Sequence, residues 1–321
     1  MLQVNAVDHW EHTKRGHGQY YTSGNPFAHR AFRRWARFAN LPSKTILEPF
    51  AGANSLIWRL QGMGLCNKFS SFDIEPACAE VKKRNTLKSF PLGYDVCITN
   101  PPWLAKNSAS VRGLPFPDCP HDDVYKLALE KCLAHCSWIA ALVPESFIRA
   151  QLFQDRLQTF VSLTTQMFED TGHPVGLALF GPTSVEDIHI WSGHRKVGIL
   201  SKLQKLRPHP IPDGPLVRFN DPDGNVGLIA LDNTQTASIR FCDIDELADY
   251  NVKKTGRHIT KLLVDEKIQI NYWNQILTEF REATHDVLMT CYKGIRKDGR
   301  YRRRCDWDLA RGIVHHAKTS S

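Results

Sequence analysis

Short hydrophobic runs alternate with amphipathic segments over the first part of the chain, and the two patterns predict different elements. The runs that suit strands buried in a sheet are KTILE, FSSFD, DVCIT, SWIAALVP, TTQMFED and VGLALFGP. The segments with apolar residues at helical spacing are NPFAHRAFRRWARFAN, SLIWRLQGMG, ACAEVKKRN, DDVYKLALEKCLAHC and ESFIRAQLFQDRLQTF. In the first of these, Asn25 is a predicted N-cap and Pro26 lies in the first turn. This alternation predicts an α/β domain with a mainly parallel sheet.

The pattern changes after about residue 195, where a second, smaller domain is predicted. RPHPIPDGP is rich in turn residues, residues 219–245 contain short β-like pieces, and residues 252–292 are predicted to be mostly helical. The predicted boundaries are therefore 1–195 and 196–321.

Charge is concentrated near the end of the chain. The formal net charge is +8, which favours a polyanionic partner. A basic segment, interleaved with Tyr292, Tyr301 and Trp307, contains Lys293, Arg296, Lys297, Arg300, Arg302, Arg303 and Arg304. A second basic group consists of Arg30, Arg33, Arg34 and Arg37.

Other compositional features narrow the class of protein. No run of about 18 apolar residues exists, so no membrane span is predicted. The first residues lack the apolar core of a signal peptide, and a cytoplasmic protein is expected. The nine cysteines form no CxxC pair, and the spacing of Cys119, His121, Cys132 and Cys136 is poor for zinc. Reduced thiols and no metal are therefore expected.

Three predicted strands end on unusual polar residues, namely Glu48, Asp73 and Asn100. Parallel α/β sheets bind ligands at the carboxyl ends of their strands. In EPFAG, the small residues up to Gly52 would let backbone approach a ligand closely, although an ordinary strand-to-helix turn has the same pattern. Asp73 could accept the two hydroxyls of a ribose or cap a helix. Together these residues indicate an adenosine-type pocket, because the glycine patterns of phosphate-binding loops are absent.

NPPW, residues 100–103, has the groups needed to hold a flat amine. An exocyclic amine conjugated to a ring needs two acceptors for its N–H groups, so that its lone pair points at an electrophilic methyl. The Asn100 side-chain oxygen and the Pro101 carbonyl are candidate acceptors, stiffened by Pro102. Trp103 offers a face for stacking a base. A proline-terminated turn with a core tryptophan is the alternative.

In this order the motifs resemble those of the S-adenosylmethionine-dependent amino-methyltransferases, in particular the DNA adenine-N6 methyltransferases of phage and restriction-modification systems. The resemblance covers GQYYTSGNPF, LEPFAGANS, SFDIEP, DVCITNPPW, ALVPES and MFEDTGHPVGLALF, over roughly residues 17–182. It implies a Rossmann-like methyltransferase sheet followed by a DNA target-recognition region with a basic tail. It also implies that S-adenosylmethionine is the cofactor.

The resemblance assigns a role to each matching residue. The residues implied to surround the cofactor are Tyr20, Tyr21, Thr22, Glu48, Phe50, Gly52, Asp73, Ile74 and Asn100. Those implied to hold the target base are Asn100, Pro101, Pro102 and Trp103, with Phe168 packing on its other side. The acid that often binds the cofactor's adenine amine is missing, and Phe90 or a backbone group is expected there instead.

The implied substrate is an adenine in a specific sequence of double-stranded DNA, flipped out of the helix at a cost of a few kcal/mol. The long polar loop 104–123, with Lys106 and Arg112, is expected to grip DNA as a mobile element, and the basic tail is expected to lie on phosphates. A monomer in the cytoplasm of a bacterium or a phage-infected host is expected.

Three other functions remain open on the sequence alone. An RNA adenine-N6 methyltransferase would share NPPW, but no RNA-binding appendage is recognisable. A protein glutamine methyltransferase would not need the basic segment. A nucleic-acid-binding module on an inactive methyltransferase fold is disfavoured by the presence of Gly52, Asp73 and Asn100.

Overall fold

The computed structural model describes Thr22, residues 24–169 and residues 171–316. The chain divides into two compact units between His194 and Arg195. The first unit has a mixed α/β fold built on a large sheet, and the second combines small antiparallel sheets with helices. Among the described residues, none of the helices has the length and apolar character needed to cross a membrane.

Eight strands of the first unit lie side by side in one sheet. Their order across the sheet is β3-β2-β1-β4-β5-β7-β6-β8. Their bounds are β1 Thr45–Glu48, β2 Lys68–Asp73, β3 Val81–Lys83, β4 Val96–Thr99, β5 Trp138–Pro144, β6 Leu157–Ser162, β7 Val175–Phe180 and β8 His189–Ser192. The strands from β3 to β5 pair in parallel, and β7 runs antiparallel between β5 and β6. The sheet is therefore Rossmann-like and parallel-dominated, as predicted.

The strand order reverses between β1 and β4. The chain builds outward from β1 to β3, then returns to place β4 on the other side of β1. Such a reversal leaves a crevice at the carboxyl ends of the two strands, since their connections leave in opposite directions. The strands β1, β4 and β7 are almost wholly buried, as expected for a sheet covered on both faces.

Four helices accompany this sheet, α1 Arg30–Phe38, α2 Ser55–Gly62, α3 Lys106–Val111 and α4 Val124–His135. Three of them match helices predicted from apolar spacing. The first begins later than predicted, because Asn25 accepts a hydrogen bond from the Phe27 amide (3.0 Å) and closes a turn before the helix.

Two predicted helices are wrong. Within ACAEVKKRN, Val81–Lys83 forms the edge strand β3, because its backbone pairs in parallel with residues 71–73 of β2. Within ESFIRAQLFQDRLQTF, a 3-10 helix over Glu145–Arg149 is followed by strand β6. The backbone takes positive φ at Gln151 and Phe153, which ends the helix and turns the chain back towards the sheet.

The predicted strand TTQMFED is also wrong. Among the described residues of this segment only Phe168 makes a bridge, to Thr22, and its neighbours are irregular. The antiparallel neighbour of β7 on this side is β6, whose residues 159–162 pair with residues 176–179. The described residues 164–169 instead belong to a loop after β6.

The second unit contains the strands β9 Arg195–Ile199, β10 Val217–Phe219, β11 Val226–Ile229, β12 Arg240–Asp243, β13 Ile259–Val264, β14 Thr290–Ile295 and β15 Tyr301–Arg304. Strands β10 to β13 form an antiparallel sheet in the order β10-β13-β11-β12, and β14 pairs with β15. The helices are α5 Leu200–Gln204, α6 Ile270–Thr284 and α7 Trp307–His316, with a 3-10 helix at Ile244–Asp249. Residues 252–292 are thus less helical than predicted.

Helix α6 packs on β12. The Phe241 and Trp273 rings meet edge to face with centroids 5.4 Å apart. The Asn274 side chain donates to the Phe241 carbonyl (2.9 Å) and accepts from its amide (2.8 Å), so it completes the backbone pairing of an outer strand. The basic segment that follows is not a tail, because it folds into the β14–β15 hairpin.

Candidate functional site

Three polar residues lie at the carboxyl ends of neighbouring strands. Glu48 ends β1, Asp73 ends β2, and Asn100 follows β4 directly. In the sheet β2, β1 and β4 are adjacent and parallel, so the three residues occupy one edge. Glu48 and Asn100 flank the point where the strand order reverses, which is the usual ligand position of such sheets.

The Glu48 carboxyl group is fully buried. Among the described residues its Oε2 atom has no hydrogen-bond partner, although the Ile57 amide donates to the group. Burial raises the pKa of this carboxyl well above its usual range, and the nearby Asp73 carboxylate raises it further. A buried carboxyl with an unpartnered oxygen is costly without a ligand and is suited to receive a cationic one.

The turn after β1 approaches β2 closely through its backbone. Gly52 has a φ of 51°, in the left-handed region that glycine adopts without steric cost. Its amide donates to Asp73 Oδ2 (2.8 Å), and the Ala51 amide donates to the Phe72 carbonyl (2.9 Å). Phe50 is half-buried in the same turn. These bonds fix the Gly52 turn against the end of β2.

Asp73 is 5% exposed and is held by backbone amides, those of Gly52 and Glu75 among them. Its Oδ1 atom accepts from Glu75 (2.8 Å) and its Oδ2 atom from Gly52. Burial raises the pKa of Asp73, and these amide donors oppose the rise. The next residue, Ile74, is 41% exposed although it is apolar. A carboxylate followed by an exposed aliphatic side chain suits a ligand with both a polar sugar and a flat ring.

The segment after Asn100 is fixed at its far end by Asp123. Pro101 and Trp103 are buried and Pro102 is half-buried. Asp123 Oδ1 accepts from the Leu104 amide (3.0 Å) and from the Tyr125 amide (3.3 Å), the second bond capping α4. Burial raises the pKa of Asp123 to about 6. Asp123 was not among the predicted site residues, but its position before an amphipathic helix was a usable N-cap signal.

Three distant segments meet beside NPPW. Thr22 and Phe168 form an antiparallel bridge, and the Gly24 amide donates to the Met167 carbonyl (3.2 Å). The Phe168 ring contacts Trp103 edge to face, with centroids 5.2 Å apart. The predicted cofactor residue Thr22 is therefore brought next to the predicted base-binding residues. Tyr20 and Tyr21 lie outside the described residues.

The predicted stacking role of Phe168 does not fit its surroundings. A ring that packs on a target base must have an open face, but Phe168 is 0% exposed and already touches Trp103. Phe168 thus packs against the Trp103 indole in the protein interior. Trp103 itself is 9% exposed, so most of its ring is covered by protein.

Phe90 does not have the open ring that the expected contact with the cofactor's adenine would need. Its ring is 8% exposed and stacks on His135, with centroids 5.2 Å apart. Phe90 therefore belongs to the packing between its loop and α4.

The loop 104–123 is more ordered in secondary structure than its composition predicted. It contains helix α3, and Leu104, Ala109 and Val124 form a small apolar core beneath it. Lys106 and Arg112 are exposed, as a contact with DNA would require. Val111, at the end of α3, is 89% exposed.

Two residues of the basic segment cannot serve as predicted. Arg296 and Arg303 are each 3% exposed, and the Arg296 guanidinium bonds to Asp232 Oδ2 at 2.6 Å. Their charge faces the protein interior, so they are not available to phosphates. The members that are exposed or half-exposed are Lys293, Lys297, Arg300, Arg302 and Arg304.

A buried ion cluster explains why Arg296 points inward. Asp232 is 0% exposed and accepts from Arg281 at 2.8 and 2.9 Å as well as from Arg296. Asp286, also buried, accepts from Arg281 Nε (2.8 Å). The arginines lower the pKa of Asp232 against the opposing effect of burial. Within residues 24–169 and 171–316, no group of three or more potential ligands is placed to hold a metal ion.

Comparisons with known proteins concern the fold. No protein-family model and no curated protein matches this sequence. A Listeria monocytogenes protein assigned to the class I S-adenosylmethionine-dependent methyltransferases is 13% identical (TM-score 0.35), over 50% of this chain and 63% of its own. The methyltransferase subunit of a Streptococcus thermophilus type I restriction-modification system is 14% identical with a TM-score of 0.37. The match covers 53% of this chain and 47% of that subunit.

A third solved structure is the M protein of the type I restriction enzyme EcoKI. It is 14% identical with a TM-score of 0.35, over 79% of this chain and 71% of its own. This chain therefore spans about half to two thirds of the length of the first two proteins. At these identities and TM-scores no residue role is transferred from any of the three.

Proposed function

We propose that this protein transfers a methyl group from S-adenosylmethionine to the N6 amine of an adenine flipped out of duplex DNA. The observation that carries the proposal is the meeting of Glu48, Asp73 and Asn100 at the strand-order reversal. Each has the chemistry that one part of this reaction needs, and they lie on three adjacent strands.

The residues at the sheet edge fit the proposed cofactor. The unpartnered Glu48 Oε2 suits the α-ammonium group of the methionine end, since a buried carboxylate needs a cation. The Gly52 turn allows close backbone approach. The Asp73 carboxylate, fixed by the Gly52 and Glu75 amides, has the acceptor chemistry that a ribose hydroxyl needs. The exposed Ile74 provides an apolar surface for the adenine ring.

In the proposed reaction the bound cofactor supplies an electrophilic methyl group. The side-chain oxygen of Asn100 and the backbone carbonyl of Pro101 accept the two N–H groups of the target amine. This removes the lone pair from conjugation and aims it at the methyl. No strong base is needed before transfer, because the amine is neutral and loses its extra proton to water afterwards. Positioning therefore provides most of the rate enhancement.

The choice of DNA as substrate rests on charge. The described residues carry exposed cations beside the proposed site, Lys106 and Arg112, and others on the β14–β15 hairpin. Asn100 rather than serine after β4 favours adenine over the N4 of cytosine. An RNA substrate would use the same catalytic residues, while a protein glutamine substrate would leave the cations without a role. The expected monomer and the recognition function of the second unit stay predictions.

The test is transfer of labelled methyl from S-adenosylmethionine to duplex DNA, RNA and a protein extract, with nucleoside analysis of the product. The variants are Asn100→Ala and, as a matched control, Asn67→Ala. Asn67 is exposed at the opposite end of β2, where its amide donates to Pro42 (2.9 Å). We expect N6-methyladenine in DNA, lost by a factor of at least ~100 in Asn100→Ala and retained in Asn67→Ala.

Other outcomes would redirect the proposal. Label in RNA or in glutamine would keep the catalytic residues and change the substrate. No transfer to any substrate, with S-adenosylhomocysteine still stabilising the protein against heat, would favour a binding module. Absence of that thermal shift would reject the cofactor itself.

A further inference from the structure

Helix α1 has two chemically opposite faces. The buried face consists of Ala31, Phe32, Trp35 and Ala36. The exposed face carries four arginines in a row at helical spacing, here called the arginine stripe: Arg30, Arg33, Arg34 and Arg37. The stripe lies outside both regions to which DNA contacts were assigned above.

The helix is held firmly on the sheet, so the direction of the stripe is fixed. Trp35 Nε1 donates to the Phe180 carbonyl at the end of β7 (2.8 Å). The Trp35 ring also meets Trp138, the first residue of β5, with centroids 6.0 Å apart. A rigid helix presents its charges at a constant spacing, which a flexible tail does not.

The charge of the stripe is not compensated within the described residues. Helix α1 contains no acidic residue, and none of the four arginines forms an ion pair with a described residue. Elsewhere on the surface cations do have partners, as Lys44 has Asp95 (2.8 Å) and Arg240 has Glu246 (2.9 Å).

This arrangement costs stability. Like charges three and four residues apart on a helix repel by a few tenths of a kcal/mol per pair, or about 0.2–0.5. Arg30, at the amino end, also opposes the helix dipole. Beside the stripe Phe38 is 62% exposed, with the Arg34 guanidinium 5.7 Å from its ring centre. A polyanion that binds the stripe would turn this repulsion into attraction.

We infer that the arginine stripe binds the phosphate backbone of duplex DNA. This inference deepens the proposed function and rests on it for the choice of DNA. From Arg30 to Arg37 the helix rises by roughly 10 Å, which equals the rise of about three base pairs along the duplex axis. Arginine suits this contact better than lysine, because its planar fork can bond two phosphate oxygens at once. The exposed Phe38 extends the surface with an apolar edge.

The stripe is tested through the salt dependence of DNA binding. The test variant replaces all four arginines by glutamine. The matched control replaces four exposed lysines of the same unit by glutamine, namely Lys68, Lys82, Lys83 and Lys88, and so removes the same charge. Binding of a fluorescent duplex oligonucleotide is measured by anisotropy across a range of salt concentrations, after thermal unfolding has shown that both variants are folded.

The wild-type plot of log affinity against log salt should have a steep negative slope. We expect the magnitude of this slope to decrease by about 3 in the stripe variant, since each phosphate contact contributes roughly 0.9. In the control variant the magnitude should decrease by less than about 1. An unchanged slope in the stripe variant, or an equal loss in the control, would overturn the inference. So would a loss seen with RNA but not with duplex DNA, or a wild type that binds no duplex.

The test of the arginine stripe can be distinguished from the test of the proposed function. Thermal stabilisation by S-adenosylhomocysteine tests the cofactor site and does not involve α1, so it should be the same in the stripe variant. A slope that changes as expected in a protein that methylates no DNA would support the stripe and reject the reaction. Retained methylation with an unchanged slope would support the reaction and reject the stripe.

Discussion

The Phe168 and Trp103 rings meet nearly at a right angle, at 85°, with their centroids 5.2 Å apart. Phe168 is also joined through its backbone to Thr22. The NPPW segment is therefore braced by a residue that follows it by 65 positions and by one that precedes it by 78. These contacts, together with the two prolines, fix the position of Trp103.

Replacing Phe168 by leucine should impair catalysis more than stability. Edge-to-face pairs are worth about 0.5–1.5 kcal/mol, so the free energy of unfolding should fall by that order. The rate of methyl transfer should fall further, by about 10-fold, because Trp103 loses its support beside Asn100. Phe160→Leu, another fully buried phenylalanine in the same unit, is the control. Urea unfolding and the turnover rate would be compared, and equal losses of turnover in both variants would contradict the role.

Glu48→Gln should separate cofactor binding from folding. The variant keeps the shape of the side chain but cannot become anionic, so affinity for S-adenosylhomocysteine should fall by about 10- to 100-fold. The fold should be retained, since the buried carboxyl is costly to ionise. Calorimetric titration measures the affinity, and an unchanged affinity would contradict the assignment.

The pH dependence of the wild type follows from the same group. The folded-state pKa of Glu48 is raised, so the folded chain keeps a proton that the unfolded chain has released. Its contribution to stability therefore decreases as pH rises from about 4.5 through the folded pKa. A bound ammonium group favours the carboxylate, so cofactor binding should release a proton. Titrations in buffers of different ionisation enthalpy would detect that proton, and Glu48→Gln should abolish it.

His29 should make stability depend on pH in the acid range. Its ring is 3% exposed, and its centroid lies 4.7 Å from that of His194. Burial and the charge of His194 lower the pKa of His29 to about 4. Between pH 6.5 and about 4 the unfolded chain binds a proton that the folded chain does not, so stability should fall as pH falls through this window. His29→Gln should flatten the melting temperature over that range, while His316→Gln, at an exposed histidine, should not.

Asp232→Asn should strongly destabilise the second unit. The substitution leaves Arg281 and Arg296 with less compensating charge in the interior, which costs about 3–5 kcal/mol. Asp308→Asn is the control, because its pair with Arg311 is 3.6 Å long and Asp308 is 78% exposed. That surface pair is worth at most about 1 kcal/mol. Urea unfolding distinguishes the two, and similar losses would contradict the account of the buried cluster.

Val111→Ala should affect duplex DNA selectively. Val111 is an apolar residue exposed at the end of α3, in the loop that directly follows NPPW. If it fills the gap left by a flipped base, its truncation should slow methylation of duplex DNA by about 5-fold and leave single-stranded DNA unaffected. Leu92→Ala, at an apolar residue 69% exposed in the same unit, should change neither rate. Equal slowing on both substrates would contradict a gap-filling role.

Strands with strong local signals could be predicted from the sequence. TILE and VCIT are short buried apolar runs, and FSSFD is a short run that becomes buried towards its polar end. The polar ends also indicated which edge of the sheet holds the site. These features are local, so one sequence was enough to find them.

Features set by distant partners could not be predicted in this way. Val81–Lys83 became a strand because the edge of β2 was open to pair with it, not because of its own propensity. Arg296 looks like an exposed cation in a basic run, but its guanidinium bonds to Asp232, 64 positions earlier. Arg303 is held in the same region by its backbone amide, which donates to Asp232, 71 positions earlier. The burial of Phe168 likewise depends on Trp103.

The position of β7 between β5 and β6 also bears on the order in which the sheet can assemble. Strand β6 precedes β7 in the chain, yet it joins the parallel strands only through β7. During synthesis β6 therefore emerges before the strand that it pairs with. The edge of β5 stays unpaired until β7, Val175–Phe180, has been synthesised. Pairing at this edge brings together residues that are far apart in the chain, whereas a helix forms from neighbouring residues. We therefore expect this pairing to be a slow step in folding.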